Sequence, residues 1–162
     1  MNHDVCPATT SSAVFEPIGR HRFGAMVQTS DLVDVASSLT REGMRLALVS
    51  GHDDGTSMRV VYLFTSGPPD TRIELHVPVD RRRPEVPTLS SISFPASRFE
   101  RELRDLFGIE PLDHPQPRRL VLHQHWPADW FPMRSGAGTR TNLGPRQKSG
   151  GRSPPGGRRR GK

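Results

Sequence analysis

The residues most able to do chemistry lie in a charged stretch between positions 100 and 105. Glu100 and Glu102 carry the side chains of a general acid–base pair, but residues two apart on a helix point to different faces. Glu102 lies three residues after Phe99 and four before Leu106, so it borders an apolar stripe. If it is buried, it needs an arginine or backbone donors. We therefore expect a structural or docking role here rather than catalysis.

Three histidines downstream offer a second kind of chemistry. His123 and His125 are two positions apart, so a strand would place both on one face, and Asp113 with His114 could add two metal ligands. The spacing matches no common zinc motif. We expect no metal site: His114 and the following proline should shape the turn after the helix, and the other two should line an interface. A histidine-based metalloenzyme remains a third interpretation, which predicts stoichiometric metal in the purified chain.

Aromatic and basic clusters point to contacts with other molecules. Trp126, Trp130 and Phe131 lie among prolines, and such aromatics serve equally as interface anchors or as a cap on the core. The run Arg81–Arg83 is more typical of a solvated loop, with contact to an acidic partner surface as the alternative.

Secondary-structure elements must position these residues, and the hydrophobic pattern predicts two helices. The first follows Ser30, its expected N-cap, carries one apolar face from Leu32 to Leu39, and ends before Gly43. The second begins at Pro95 and ends at Gly108.

Within the second helix, two pairs of opposite charge have helical spacing. They are Glu100 with Arg104 and Arg101 with Asp105, each four positions apart. Such pairs stabilise an exposed helix by about 0.2–0.5 kcal/mol each.

Between the helices the pattern predicts an antiparallel meander. Strands are expected at 46–50, 58–64 and 73–79, with turns at 51–55 and 67–70, a loop at 80–87 and a short extended segment at 89–94. The expected fold class is therefore α+β, with helices packed on a mainly antiparallel sheet.

Charge is distributed unevenly along the 162 residues. Nine of the 23 basic residues lie in 133–162, which holds no acidic residue, so residues 1–132 carry 14 basic and 17 acidic residues. A basic groove across the folded part is thereby excluded. We expect a flexible lead-in at 1–22, one domain at 23–132, and a disordered Gly/Pro/Arg-rich tail at 133–162.

Cysteine content and hydropathy exclude further classes. Cys6 is the single cysteine, so an internal disulfide, a four-cysteine zinc site and an iron–sulfur cluster cannot form within the chain. The longest apolar run, from Val60 to Phe64, is far shorter than the roughly 20 residues that span a bilayer, and no secretory signal is visible.

The second helix and the segment after it contain a more specific sequence motif. Residues 99–109 read FERELRDLFGI, His114-Pro115 follows, and residues 118–122 read RRLVL. This resembles the 30-kDa subunit of respiratory complex I (the C subunit of bacterial NADH-quinone oxidoreductase) and the homologous N-terminal domain of formate-hydrogenlyase-type hydrogenase large subunits. Residues 122–127, LHQHWP, and 132–134, PMR, look closer to the hydrogenase branch. The family usually continues into lysine–aspartate, where this chain has Ser135-Gly136.

The resemblance implies a non-catalytic, peripheral-arm subunit on the cytoplasmic side of the cell membrane. Its partners would be a large, 49-kDa-like or hydrogenase large subunit, which it docks, and iron–sulfur subunits. This chain would hold no cofactor, and iron–sulfur clusters with a quinone or nickel–iron site would lie in the partners. The hydrogenase cysteine ligands are absent, so we expect a stand-alone subunit. Quinone reduction and hydrogen evolution are not separable from this sequence.

The residues expected to serve in structure or docking are Glu100, Arg101, Glu102, Asp105, Gly108, His114, Pro115, Arg118, Arg119, Trp126 and Trp130.

The alternative function is a nucleic-acid-associated or regulatory protein acting through the basic tail. It predicts binding that weakens steeply with salt and disappears when residues 135–162 are deleted. No aromatic residue interleaves with the tail charges, so a stacking platform for single strands is missing, and we do not favour a nucleic-acid partner.

Overall fold

The computed structural model describes residues 13–68 and 70–136. The elements are β1 (Glu16–Gly19), β2 (Arg22–Met26), α1 (Leu32–Arg41), β3 (Arg45–Asp53), β4 (Met58–Ser66), β5 (Thr71–Val79), β6 (Glu85–Pro87), α2 (Ala96–Phe107) and β7 (Glu110–Leu112). Five strands form a sheet in the order β1-β2-β5-β4-β3, and β6 pairs with β7 in a second, two-stranded sheet. The predicted α+β class with a mainly antiparallel sheet is confirmed.

The main sheet is built from strands with one buried and one open face. From Met58 to Phe64 in β4 and from Ile73 to Val77 in β5 the burial alternates, as a period of two requires for a sheet covered on one side. The core on the covered side is centred on Tyr62, Phe64 and Leu75, all at most 1% exposed. Within this five-stranded sheet, neighbouring strands pair antiparallel except β2 and β5, which pair in parallel from Arg22–Arg72 to Met26–His76.

Helix α1 ends as expected but begins differently. Gly43 adopts φ +84°, and the bonds from Gly43 N to Thr40 O and from Met44 N to Leu39 O, both 3.0 Å, form a Schellman motif. The predicted N-cap at Ser30 is wrong, because Asp31 takes that position. The Ser30 hydroxyl donates to the Asp31 carboxylate at 3.1 Å instead of capping a helix N–H.

The predicted turn at 51–55 is also wrong, because β3 continues to Asp53. A Cβ on Gly51 would lie 2.6 Å from the Phe107 ring, so this glycine lets α2 approach the strand. The turn comes later, where the Asp54 carboxylate accepts N–H bonds from Thr56 at 2.9 Å and Ser57 at 2.7 Å. These bonds lower the pKa of Asp54 from its usual value.

The expected lead-in at 1–22 is wrong from residue 13 onward. Ala13 and Phe15 are buried, and β1 pairs with β2 as a hairpin on the edge of the sheet. Local sequence patterns do not predict these strands, because β2 pairs with β5, which lies far along the chain. Residues 1–12 lie outside the described residues.

The connection from β5 to α2 is more ordered than predicted. Strand β6 forms inside the expected loop at 80–87, and Val86 is fully buried. The extended segment expected at 89–94 is instead a turn, in which the N–H of Ile92 donates to the carbonyl of Leu89 at 2.9 Å.

None of the helices among the described residues is long and apolar enough to cross a bilayer.

The disorder expected at 133–162 is wrong for the first residues of that range. The N–H of Met133 donates to the carbonyl of Leu106 at 3.0 Å, and Ser135 also contacts the folded part. Residues 137–162, with most of the predicted disordered tail, lie outside the described residues.

Candidate functional site

Glu100, and not Glu102, is the buried member of the Glu100–Glu102 pair. Its side chain is fully buried, accepting bonds from the Leu89 N–H at 2.6 Å and from the Thr88 hydroxyl at 2.5 Å. Glu102, which borders the stripe in sequence, is exposed. The neighbouring Tyr62 hydroxyl is buried without a hydrogen-bond partner among the described residues. Burial, and secondarily the Glu100 charge, raises the pKa of Tyr62. Glu100 therefore fixes the turn before α2.

His114 ties the chain after α2 back to the beginning of that helix. Its Nδ1 accepts the N–H of Gln116 at 3.0 Å, so the proton belongs on Nε2, which lies 3.1 Å from the Ser97 carbonyl oxygen. The Glu100 carboxylate is 3.8 Å from Nε2, and both side chains are fully buried.

Residues 113–135, which follow β7, contain no helix or strand and are here called the strap. Side chains in the second half of α2 bind the backbone of this segment. Asp105 accepts the N–H groups of Leu120 and Val121 at 2.8 Å and of Leu122 at 3.2 Å, all on Oδ2. Three donors converging on one carboxylate oxygen make strong, charge-assisted bonds.

Two arginines of α2 complete this anchorage by binding carbonyl groups of the strap. Arg101 donates to the carbonyls of Arg118 at 2.8 Å and Arg119 at 3.0 Å. Arg104 donates to the carbonyl of Pro117 and, at 2.8 Å, to the carboxylate of Glu110. These bonds replace the two predicted pairs along the helix.

Gly108 lets the strap close over the end of α2. It adopts φ +68° as the C-cap, and a Cβ there would lie 2.6 Å from the Phe131 ring. Only glycine combines this left-handed backbone with such close contact. The Arg134 guanidinium lies 5.9 Å from the centre of the same ring.

The two tryptophans of the strap stack on each other. The rings of Trp126 and Trp130 are 4.5 Å apart at 24°, and the Trp126 indole N–H donates to the Trp130 carbonyl at 2.9 Å. Both residues are half-buried. The His123 ring meets Trp126 edge-on at 5.6 Å.

His123 and His125 do not lie on a strand, so the shared face that a strand would give them does not form. His123 and His125 are exposed, lie outside any strand, and have ring centres 6.3 Å apart. Within residues 13–68 and 70–136, no three His, Cys, Asp or Glu side chains are grouped as metal ligands would be.

An ion pair at the end of β3 fastens the far end of the strap. The Asp53 side chain is buried and receives two bonds from Arg81, from Nε at 3.0 Å and Nη2 at 2.9 Å. Ser135 adds a bond from its N–H to the Asp53 carboxylate at 3.1 Å. Arg81 lowers the pKa of Asp53, with help from the Gly55 and Ser135 N–H groups and against the effect of burial.

Sequence reasoning missed this pair. Arg81 belongs to a run that is typical of a solvated loop, and its acidic partner lies 28 residues earlier, at no spacing that a local pattern could reveal.

The strap exposes apolar side chains that the core does not use. Leu120 is 43% exposed, Val121 53% and Met133 56%. Their backbones are fastened to the second half of α2, through Asp105 and the Leu106 carbonyl. Exposed Leu, Val and Met on a firmly held backbone are suited to contact with another protein chain.

The buried polar residues of this region have their hydrogen-bond partners inside the chain. Glu100, Asp105 and His114 are buried and committed to backbone or hydroxyl contacts within the chain. Pro115 and Arg118 are exposed on the strap.

Comparison with known proteins places these features in a family. Residues 25–142 match the family described as respiratory-chain NADH dehydrogenase, 30 Kd subunit. The C/D subunit of NADH-quinone oxidoreductase from Bacteroides thetaiotaomicron is 35% identical over 122 residues, which are 73% of this chain and 22% of that protein. Formate hydrogenlyase subunit 5 of Escherichia coli is 34% identical over 98 residues, 58% of this chain and 17% of that protein.

A solved structure agrees with the sequence match. The trypsin-resistant fragment (1–134) of Nqo5 superposes with a TM-score of 0.58 and 26% identity, covering 64% of this chain and 89% of the fragment. The chain thus spans about a fifth of the length of the two curated relatives and most of the solved fragment.

Proposed function

The chain belongs to the family of the 30 Kd subunit of respiratory-chain NADH dehydrogenase, and from that premise we propose that it is a non-catalytic, peripheral subunit of an NADH-quinone oxidoreductase-like or membrane-bound hydrogenase-like complex. Its task is to dock the large, 49-kDa-like subunit and so support electron transfer. The names of its relatives, the C/D subunit of an NADH-quinone oxidoreductase and a subunit of formate hydrogenlyase, favour both types of complex.

The observation that carries this proposal is the anchorage of the strap. Asp105, Arg101 and Arg104 bind its backbone, while Leu120 and Val121 remain exposed. A backbone held in advance loses little conformational freedom when a partner binds, which favours affinity. The charged residues of the family motif therefore present apolar side chains to a partner instead of reacting with a substrate.

The redox chemistry in this proposal belongs to the partner subunits. Iron–sulfur clusters and either a quinone site or a nickel–iron site would lie there. The chain would reach the cytoplasmic side of the membrane through the complex, as a peripheral component.

The test is a pull-down of the tagged chain from its native membranes in mild detergent, with the co-purifying proteins identified by mass spectrometry. We expect a large subunit with paired cysteine motifs and an iron–sulfur subunit. The cysteines of the large subunit then distinguish hydrogenase from quinone chemistry.

Matched variants connect this result to the strap. The pair Leu120→Asp and Val121→Asp should abolish recovery of the large subunit, because it places two charges in the proposed interface. The control pair Val14→Asp and Leu48→Asp changes residues that are 72% and 46% exposed elsewhere, and should leave recovery unchanged.

Two results would contradict the proposal. One is recovery of the large subunit by both variant pairs alike, which would remove the strap from the interface. The other is recovery of nucleic acid alone, lost in high salt and after deletion of residues 135–162, which would favour the alternative function.

A further inference from the structure

The guanidinium of Arg119, in the strap, has hydrogen-bond donors that the described residues leave unpaired or poorly paired. Its Nη1 atom is buried and has no hydrogen-bond partner in that part of the chain. Its Nη2 atom makes a long bond of 3.4 Å to the carbonyl oxygen of Pro127. Buried cationic donors in folded proteins are almost always paired, because an unpaired one forfeits its hydration without compensation. Among the described residues the Arg119 guanidinium therefore lacks an acceptor at normal hydrogen-bond distance for these two atoms.

The nearby carboxylates are already committed. Asp105 accepts three backbone N–H groups of the strap on one oxygen, and Glu110 accepts the Nε–H of Arg104 at 2.8 Å. Neither acid is bonded to Arg119, although all of these residues line the same cavity.

The cavity beside Arg119 suits a single side chain. It has a volume of about 260 Å³, and its walls include Arg104, Leu122, Trp130 and Phe131. Small-molecule and cofactor sites are usually larger, roughly 300–1,000 Å³. A space just below this range has room for one inserted side chain.

We propose that Arg119 receives the carboxylate of an aspartate or glutamate from the large subunit, whose side chain enters this cavity. The inference rests on the proposed function and names one contact within it. A guanidinium offers a planar fork of donors that matches a carboxylate. The exposed Leu120 and Val121 lie in the chain between Arg119 and Leu122, which both line the cavity, so the cavity adjoins the segment proposed to meet the large subunit.

The first measurement is the affinity of the full chain for the large subunit recovered in the pull-down. R119Q should weaken binding at least about 30-fold, as removal of one member of a buried charge pair does. R119K, which keeps the charge but loses the fork, should fall between the wild type and R119Q. The control R82Q removes an exposed arginine in the loop before β6 and should change affinity less than about twofold.

The second measurement locates the partner's carboxylate directly. A water-soluble carbodiimide activates a carboxylate, and the amine introduced by R119K then displaces it to form an amide, while the carbodiimide leaves as its urea. We expect a cross-link between position 119 and one Asp or Glu of the large subunit, read by mass spectrometry. Cross-links only to Asp105 or Glu110 of this chain would overturn the inference.

These outcomes separate the inference from the proposed function. If the wild-type chain recovers no large subunit, the proposed function has failed. Suppose instead that the wild-type chain recovers the large subunit, that R119Q binds it as tightly as the wild type does, and that R119K forms no intersubunit cross-link. In that case only the Arg119 contact is wrong. The thermal unfolding of each variant must match the wild type; where R119Q does not fold, R119K decides by cross-linking.

Discussion

The five-stranded sheet and the strap are ordered by opposite kinds of contact. In the sheet, apolar side chains such as Leu75 and Val77 are fully buried at alternate positions, and the strands satisfy one another's backbone groups. In the strap, no strand or helix forms between residues 113 and 135, and the backbone is satisfied by side chains of α2. Burial there is incomplete, with Val121 more than half exposed.

This difference explains why charged residues dominate the family motif. A segment without its own secondary structure needs partners for its N–H and carbonyl groups, and α2 supplies an acceptor in Asp105 and donors in Arg101 and Arg104. The strap can then remain ordered while its apolar side chains stay available. The comparison leads to four predictions.

The largest effect is expected in the sheet. Leu75→Ala removes a fully buried side chain from β5 and should lower the free energy of unfolding by about 2–5 kcal/mol, measured by urea denaturation. The control Val61→Ala, on the open face of β4, should cost much less. Similar losses for the two variants would show that the open face is also covered.

A smaller and more local effect is expected from Asp105→Ala. Loss of the acceptor for three strap N–H groups should cost about 1.5–3 kcal/mol. Hydrogen exchange should show lost protection at residues 120–122 with the β4 and β5 amides unchanged. Glu102→Ala, an exposed acid on the same helix, is the control and should stay within about 0.5 kcal/mol. Loss of protection in both regions would mean that strap and sheet unfold together.

Gly108→Ala tests the closure of the strap over the end of α2. The left-handed backbone alone should cost about 1–2 kcal/mol, and displacement of the Phe131 ring should add to that. Gly43→Ala separates the two causes, because that glycine also has positive φ but nothing within 4 Å of the added Cβ. Equal losses in thermal unfolding would show that the Phe131 contact contributes nothing.

The smallest effect is a pH dependence at the far end of the strap. The pKa of Asp53 is lowered in the folded chain, so its pairing with Arg81 stabilises the fold above the unfolded-state pKa of about 3.9. That contribution is lost as the pH falls through the lower, folded-state pKa. The amide resonance of Ser135 should report the change in an acid titration. In Asp53→Asn the transition should be absent; its persistence would assign it to another carboxylate, such as Asp54.

Regular periodicity made much of the sheet and both helix ends predictable. Gly43 and Gly108 end their helices as expected, and the strands at 58–64 and 73–79 lie within β4 and β5. These features depend on near neighbours in the chain, which is the information that a local pattern contains.

The features that were missed depend on distant contacts. Strand β3 runs past the expected turn because Gly51 accommodates the Phe107 ring, and β2 pairs with a strand 50 residues later. Glu100 lies four residues after Ala96 and three before Leu103, on the buried face, and that spacing was the available signal for its burial. Arg101 and Arg104 bind carbonyl groups of the strap instead of acids within α2, and no local pattern in the sequence indicates this.

The parallel pairing of β2 with β5 has a consequence for the order in which the protein folds. Strands β3, β4 and β5 are neighbours in the chain and form hairpins with short loops, whereas β2 can join β5 only after α1 and two strands have been enclosed. Closing that larger loop costs more entropy and slows the step. We therefore expect the β3–β5 meander to form first and the N-terminal hairpin to dock last, so that pulse-labelled amides of β2 become protected after those of β4.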